Sequence, residues 1–162
     1  MIPEALIREA ARRGIDVVDV LARALDVDPS ERAEAHLELA EKFLGEGKAL
    51  VDKDPVQASE KLYEAAEEAV KALAIALGLD EAKTALEQGR WTAALLFSAV
   101  DSLGEKLGSE ELRLWWKAAW FLHVEGLHEA RLSPRQVARD LKHVEALVGL
   151  AHRYCAAGEP HR

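Results

Sequence analysis

Three times in this chain a capping side chain stands directly before a proline, with an acid or amide two residues beyond it: Asp28-Pro29-Ser30-Glu31, Asp54-Pro55-Val56-Gln57 and Ser133-Pro134-Arg135-Gln136. The cap oxygen accepts from orphan amides of a helix's first turn, and the Glu or Gln can reach back to the cap amide. Proline at the next position lacks only an N–H that would have no helical partner there. The spacing predicts helices over 3–13, 16–25, 30–50, 55–77, 80–88, 92–107, 110–125 and 134–157, the third of them loosened at Gly45 and Gly47. Gly14, Gly78, Gly89 and Gly108 punctuate them. No run alternates apolar and polar residues long enough to make a strand. The fold class is therefore all-α, an antiparallel helical bundle. A short N-terminal helical hairpin is expected over 1–28, packed on or beside a bundle at 29–158, with a frayed tail at 159–162.

Two helices carry most of the packing information. In the fourth, Ser59, Leu62, Ala66, Ala69, Leu73 and Ala76 recur at steps of three and four, a seam of mostly small residues that permits close helix approach. Glu60, Glu64, Glu67 and Lys71 fall opposite and read as a solvated face. The stretch Leu112 to Val124 is different, because only Arg113 and Lys117 in it are charged and Trp115, Trp116, Trp120 and Phe121 crowd it. A helix apolar nearly all round must be buried nearly all round, either centrally or against a second chain. A homodimer is expected in either case.

Composition narrows the function classes. In 162 residues, 21 Lys and Arg face 29 Asp and Glu, a net charge of −8. That balance disfavours nucleic acid as a partner, without forbidding it, and argues against anionic membrane surfaces. The longest uncharged run, 91–100, has ten residues, where a spanning helix needs roughly 20. The start of the chain does not resemble a signal peptide. A single cysteine, Cys155, allows no internal disulfide and suits the cytoplasm. Glycine-rich phosphate loops, cysteine pairs for zinc, nucleophile elbows and calcium loops are all missing from the sequence, so no cofactor is implied.

Four sets of residues remain as candidates. On the last helix Arg135, Arg139, Lys142 and His143 share one face near a helix N-terminus, and Arg131 precedes them. They suit a phosphate or an acidic partner, or else pair with the acidic row Glu31, Glu34, Glu38 and Glu41. His123, His128 and Glu129 suggest a small-ligand or catalytic site, or else His123 is a core histidine bonded to a backbone carbonyl and His128-Glu129 a capping or interface pair. As metal ligands they are poorly spaced, since i to i+5 on an α-helix turns the two rings about 140° apart unless Gly126 breaks the helix; no metal is expected. Glu60, Lys61, Tyr63 and Lys71 read mainly as a solvated face with a core tyrosine. Cys155 reads as an inert thiol.

The stretch Asp54-Pro55-Val56-Gln57-Ala58-Ser59-Glu60-Lys61-Leu62-Tyr63, continuing to Ala74, resembles the signature of the archaeal PaREP family. Ala40-Glu41-Lys42-Phe43-Leu44, Gly89-Arg90-Trp91 and Leu122-His123-Val124-Glu125-Gly126-Leu127-His128-Glu129 extend the likeness over about residues 30–150. The resemblance implies a hyperthermophilic archaeal source, unknown function and a HEPN-like helical bundle. HEPN relatives include ribonuclease toxins and partners of nucleotidyltransferases, whose catalytic members carry an Arg and a His with four to six residues between them. Arg139 with His143 and Arg32 with His36 have only three residues between them, so no catalytic residue is carried over. The expected function is a binding or interaction module, associated at most with a nucleotide- or RNA-related partner. The alternatives are a divergent HEPN-like ribonuclease or nucleotide-processing protein and a tetratricopeptide-like scaffold, the latter resting on one helical hairpin where about three are needed.

Overall fold

The computed structural model describes residues 1–156; the expected tail and residues 157–158 of the expected bundle lie outside them. Among the described residues the chain is helical throughout, without strands. The order is α1 (Glu4–Arg12), α2 (Val17–Leu25), α3 (Pro29–Leu50), α4 (Pro55–Ala76), α5 (Asp80–Gln88), α6 (Ala93–Leu107), α7 (Glu110–Phe121), a π-helix (Leu122–His128) and α8 (Pro134–Cys155). The three cap–proline starts form as expected, with Asp28, Asp54 and Ser133 accepting from the amides of Glu31, Gln57 and Gln136. At Ser133 the reciprocal bond from the cap amide to the Gln136 side chain, 2.8 Å, completes the capping box.

The bundle is built around α4, which packs against α3, α8, the π-helix, α6, α5 and α7. From Ala65 to Ile75 every residue but Glu67 is buried. The small-residue seam is what allows this. Ala58, Ala65, Ala66, Ala69, Ala72 and Ala74 have no exposed surface, so neighbouring backbones come close. Gly47 of the uninterrupted α3 is one such approach, because a Cβ there would stand 2.7 Å from Leu62 Cδ2.

Two expectations are corrected. Lys71 is not on a solvated face: its side chain is 7% exposed and surrounded by carboxylates. The helix shielded on every side is α4, not the tryptophan-rich α7. In α7, Leu112, Trp116 and Ala119 are buried, yet Leu114 and Phe121 are 58% and 45% exposed. They lie seven residues apart, two α-helical turns, so they form one outward ridge.

α7 also ends earlier than its apolar pattern suggests. From Leu122 the backbone widens into i→i+5 bonding, and the amide of Glu129 donates to Val124 O at 2.9 Å. Gly126 lies against α4 here, where a Cβ would fall 2.2 Å from Ser59 Oγ and 2.5 Å from Ser59 Cβ. Only glycine fits. The N-terminal segment is joined to the bundle through α2, which packs on α3 and α5, while α1 buries none of its residues.

Candidate functional site

Two polar constellations stand out, and they differ in kind. The first lies between α2, α3 and α4 and is largely buried. Arg32 and His36, one turn apart on α3, both donate to Asp19 Oδ1, at 2.7 and 2.8 Å. The other His36 nitrogen lies 2.7 Å from Glu68 Oε1. Lys71 donates to Glu68 Oε2 at 3.0 Å and to Asp16 Oδ2 at 2.9 Å. Trp91 Nε1 donates to Asp19 Oδ2 at 2.7 Å. Three cations, Arg32, His36 and Lys71, thus meet three carboxylates, Asp16, Asp19 and Glu68, with Glu67 3.2 Å from Lys71 at the edge.

Burial disfavours the charge on His36, but hydrogen bonds to Asp19 and Glu68 outweigh it and push the imidazole up to about 9. Burial likewise opposes ionisation of Asp19, and the bonds from His36 and Arg32 overcome it, holding the carboxyl well below its ordinary value. Glu68 is lowered too, Lys71 and His36 outweighing its burial. Ligand atoms of Asp16, His36 and Glu68 lie within 4.8 Å of one another, the spacing of a metal site. Both imidazole nitrogens are already bound, however, and the Lys71 ammonium already bridges the two carboxylates. The cluster is a structural ion network. Arg32 and His36 are therefore held by Asp19 rather than presented to a substrate.

The second constellation opens at the surface, where α4, α6, α7 and the π-helix meet. Tyr63, Phe97, Trp116, Trp120, His123 and His128 form a continuous run of rings. His123 stacks on Tyr63 with centroids 4.1 Å apart and planes 24° apart, and Trp120 lies edge-on to Phe97 at 4.9 Å. His123 and His128 meet at 3.2 Å through their Nε2 atoms. Burial lowers the His123 pKa and the neighbouring His128 adds to this, against the charges of Glu67 and Glu60. Beside the rings a 310 Å³ pocket is lined by Phe97, Val100, Asp101, Arg113, Trp116, Lys117 and Trp120. Trp116 Nε1 is buried and has no acceptor among the described residues.

Other candidates fall elsewhere. Arg135, Arg139 and Lys142 are exposed and His143 is half-buried on α8, with Asp140 within electrostatic reach. No hydrogen bond or ion pair among the described residues joins them to the histidine pair or to Glu31, Glu34 and Glu38. The contacts between α3 and α8 are instead Lys48–Glu145 at 2.7 Å and His152–Glu41 at 3.5 Å. Glu129 lies 4.0 Å from Arg131. Lys61 sits over the Phe43 ring at 5.2 Å. Cys155 is buried, which pushes its thiol up to about 12.

Asp16, Asp19, Glu68, Trp91 and Phe97 escaped the sequence reading. The one local signal was Asp19, an acid placed between apolar neighbours on the inward side of Val17–Leu25.

Over the described residues the fold is a strand-free helical bundle with an aromatic face open at one side. A family model described as the archaeal PaREP1/PaREP8 family matches residues 35–148, and the chain belongs to that family. A crystal structure of a Sulfolobus solfataricus protein is 41% identical, covers 74% of this chain and 92% of its own, and superposes with a TM-score of 0.57. A solution structure of the same structural-genomics target is 37% identical over 80% of this chain and 95% of its own, with a TM-score of 0.59. No curated protein matches. No helix of the described residues is long and apolar enough to cross a membrane.

Proposed function

We propose that this chain is a helical interaction module that binds a second copy of itself through the α6–α7 face. The observation that carries the reading is the apolar surface left open on α6 and α7, where Phe97 is 41%, Leu114 58% and Phe121 45% exposed. An apolar side chain entering the pocket of Phe97, Trp116 and Trp120 adds packing to it.

The surrounding surface supports the same reading. Phe97 lines that pocket, and Leu114 and Phe121 form the outward ridge of α7, a concentration of apolar surface suited to an interface core. Asp101 lies beside Arg113 and Lys117 on the pocket wall. A face carrying both signs is self-complementary under a two-fold axis, so a second copy is the natural occupant. A buried lone thiol suits a reducing cytoplasm as the site of action.

The test is light scattering on the full chain with Leu114→Glu and Phe121→Glu combined. These side chains are exposed, so folding stability is expected to change by no more than about 0.5 kcal/mol per site, while the dimer is lost. A variant that keeps the wild-type oligomeric state overturns the assignment of the face.

A further inference from the structure

Five residues separate His123 from His128, which on an α-helix would turn the rings to different sides. The π-helix changes that geometry. Its i→i+5 bonding stacks residue 128 over residue 123 and brings the two Nε2 atoms to 3.2 Å, with the rings at 81°. Two imidazoles on one tetrahedral zinc, each at the usual Zn–N length, have nitrogens about 3.3 Å apart. We propose that His123 and His128 form a bidentate site for a divalent transition-metal ion of the zinc class.

Three further observations favour the site. His123 is positioned before any ion arrives, by its stack on Tyr63 and by Trp120 at 5.1 Å. The negative charges of Glu60 and Glu67 on α4 act on the His123 ring and favour a cation there. The π-helix is itself rare, tends to occur at functional sites, and here depends on a glycine that no other residue can replace against Ser59. Two imidazole nitrogens match zinc, nickel and copper rather than calcium or magnesium, and leave positions open for water or a carboxylate. The spacing argument against metal holds for an α-helix and fails for this one.

The experiment is calorimetric titration of the chelator-treated, full-length chain with Zn²⁺, paired with imidazole nitrogen NMR. The expected result is one ion per chain at this site, with both Nε2 resonances shifted. His128→Ala is the first variant because this ring is exposed and its loss leaves the fold intact. It should weaken binding by at least about tenfold, equivalent to 1.4 kcal/mol, and His123→Gln should do the same. His152→Ala, on α8, should leave this site unchanged. Absence of zinc uptake by the wild-type chain, or uptake that His128→Ala leaves intact, overturns the proposal.

Discussion

His36 Nε2 lies 2.8 Å from Asp19 Oδ1, with both side chains wholly shielded from solvent. This contact joins α2 to α3, and the second His36 nitrogen carries it on to Glu68 of α4. An imidazolium held between two carboxylates links three helices by charge as well as by packing. The N-terminal segment is tied to the bundle here, and the tie depends on protonation.

The pH dependence follows from the direction of each shift. His36 is raised from 6.5 to about 9 in the fold. Its contribution is complete below about pH 6.5 and is lost as pH rises through about 9, on the order of 3 kcal/mol at most. Asp19 and Glu68 are lowered. Their contribution is present above their ordinary values and disappears on acidification. Urea unfolding from pH 4 to pH 10 should show a maximum near pH 5–7. A profile flat between pH 6.5 and pH 9.5 contradicts the charged state of His36.

Removing one member of the network strands the others. Asp19→Ala leaves Arg32, His36 and the Trp91 N–H without their shared acceptor. The loss of one partner from a buried charge cluster costs about 3–5 kcal/mol. Chemical denaturation monitored by tryptophan fluorescence measures it, and a change below 1 kcal/mol would show the network to be dispensable.

Glu64 offers a separate probe. Burial raises its carboxyl to about 7, with Glu60 adding to the rise and Lys61 opposing it. A raised carboxyl favours the fold while protonated, and that contribution fades as pH climbs from about 4.5 through about 7. Glu64→Gln should therefore gain stability relative to wild type over this interval and run parallel to it above pH 8. Parallel curves across the whole range would show an ordinary, solvated carboxylate.

At Gly126 the prediction is steric. Gly126→Ala drives a Cβ into Ser59, and overpacking of this kind costs about 1–3 kcal/mol. Ser59→Gly removes the obstructing atoms, so the double variant should be more stable than the sum of the two single changes implies. Simple additivity in thermal unfolding would place Gly126 away from α4.

What the sequence could reveal followed the range of the interactions involved. Helix starts at Asp28, Asp54 and Ser133 were legible because cap and amide are three residues apart. Lys71 was misread because two of its partners, Asp16 and Glu68, sit 55 and three residues away, and only the near one shows on a helical wheel. The buried state comes from the distant one. Whether His123 and His128 meet stays open in the sequence, because the π-helix that joins them depends on the approach of Gly126 to Ser59, which spans 67 residues. For the Leu112–Val124 stretch, composition alone could not separate a central helix from a half-covered one. Burial of Trp116 beside exposure of Leu114 and Phe121 makes that distinction.

Sedimentation equilibrium of the intact chain across a wide concentration range bears most directly on the interaction-module account. A mass of about twice 17.8 kDa that dissociates on dilution is the predicted result. A single species of 17.8 kDa up to high micromolar concentration contradicts it.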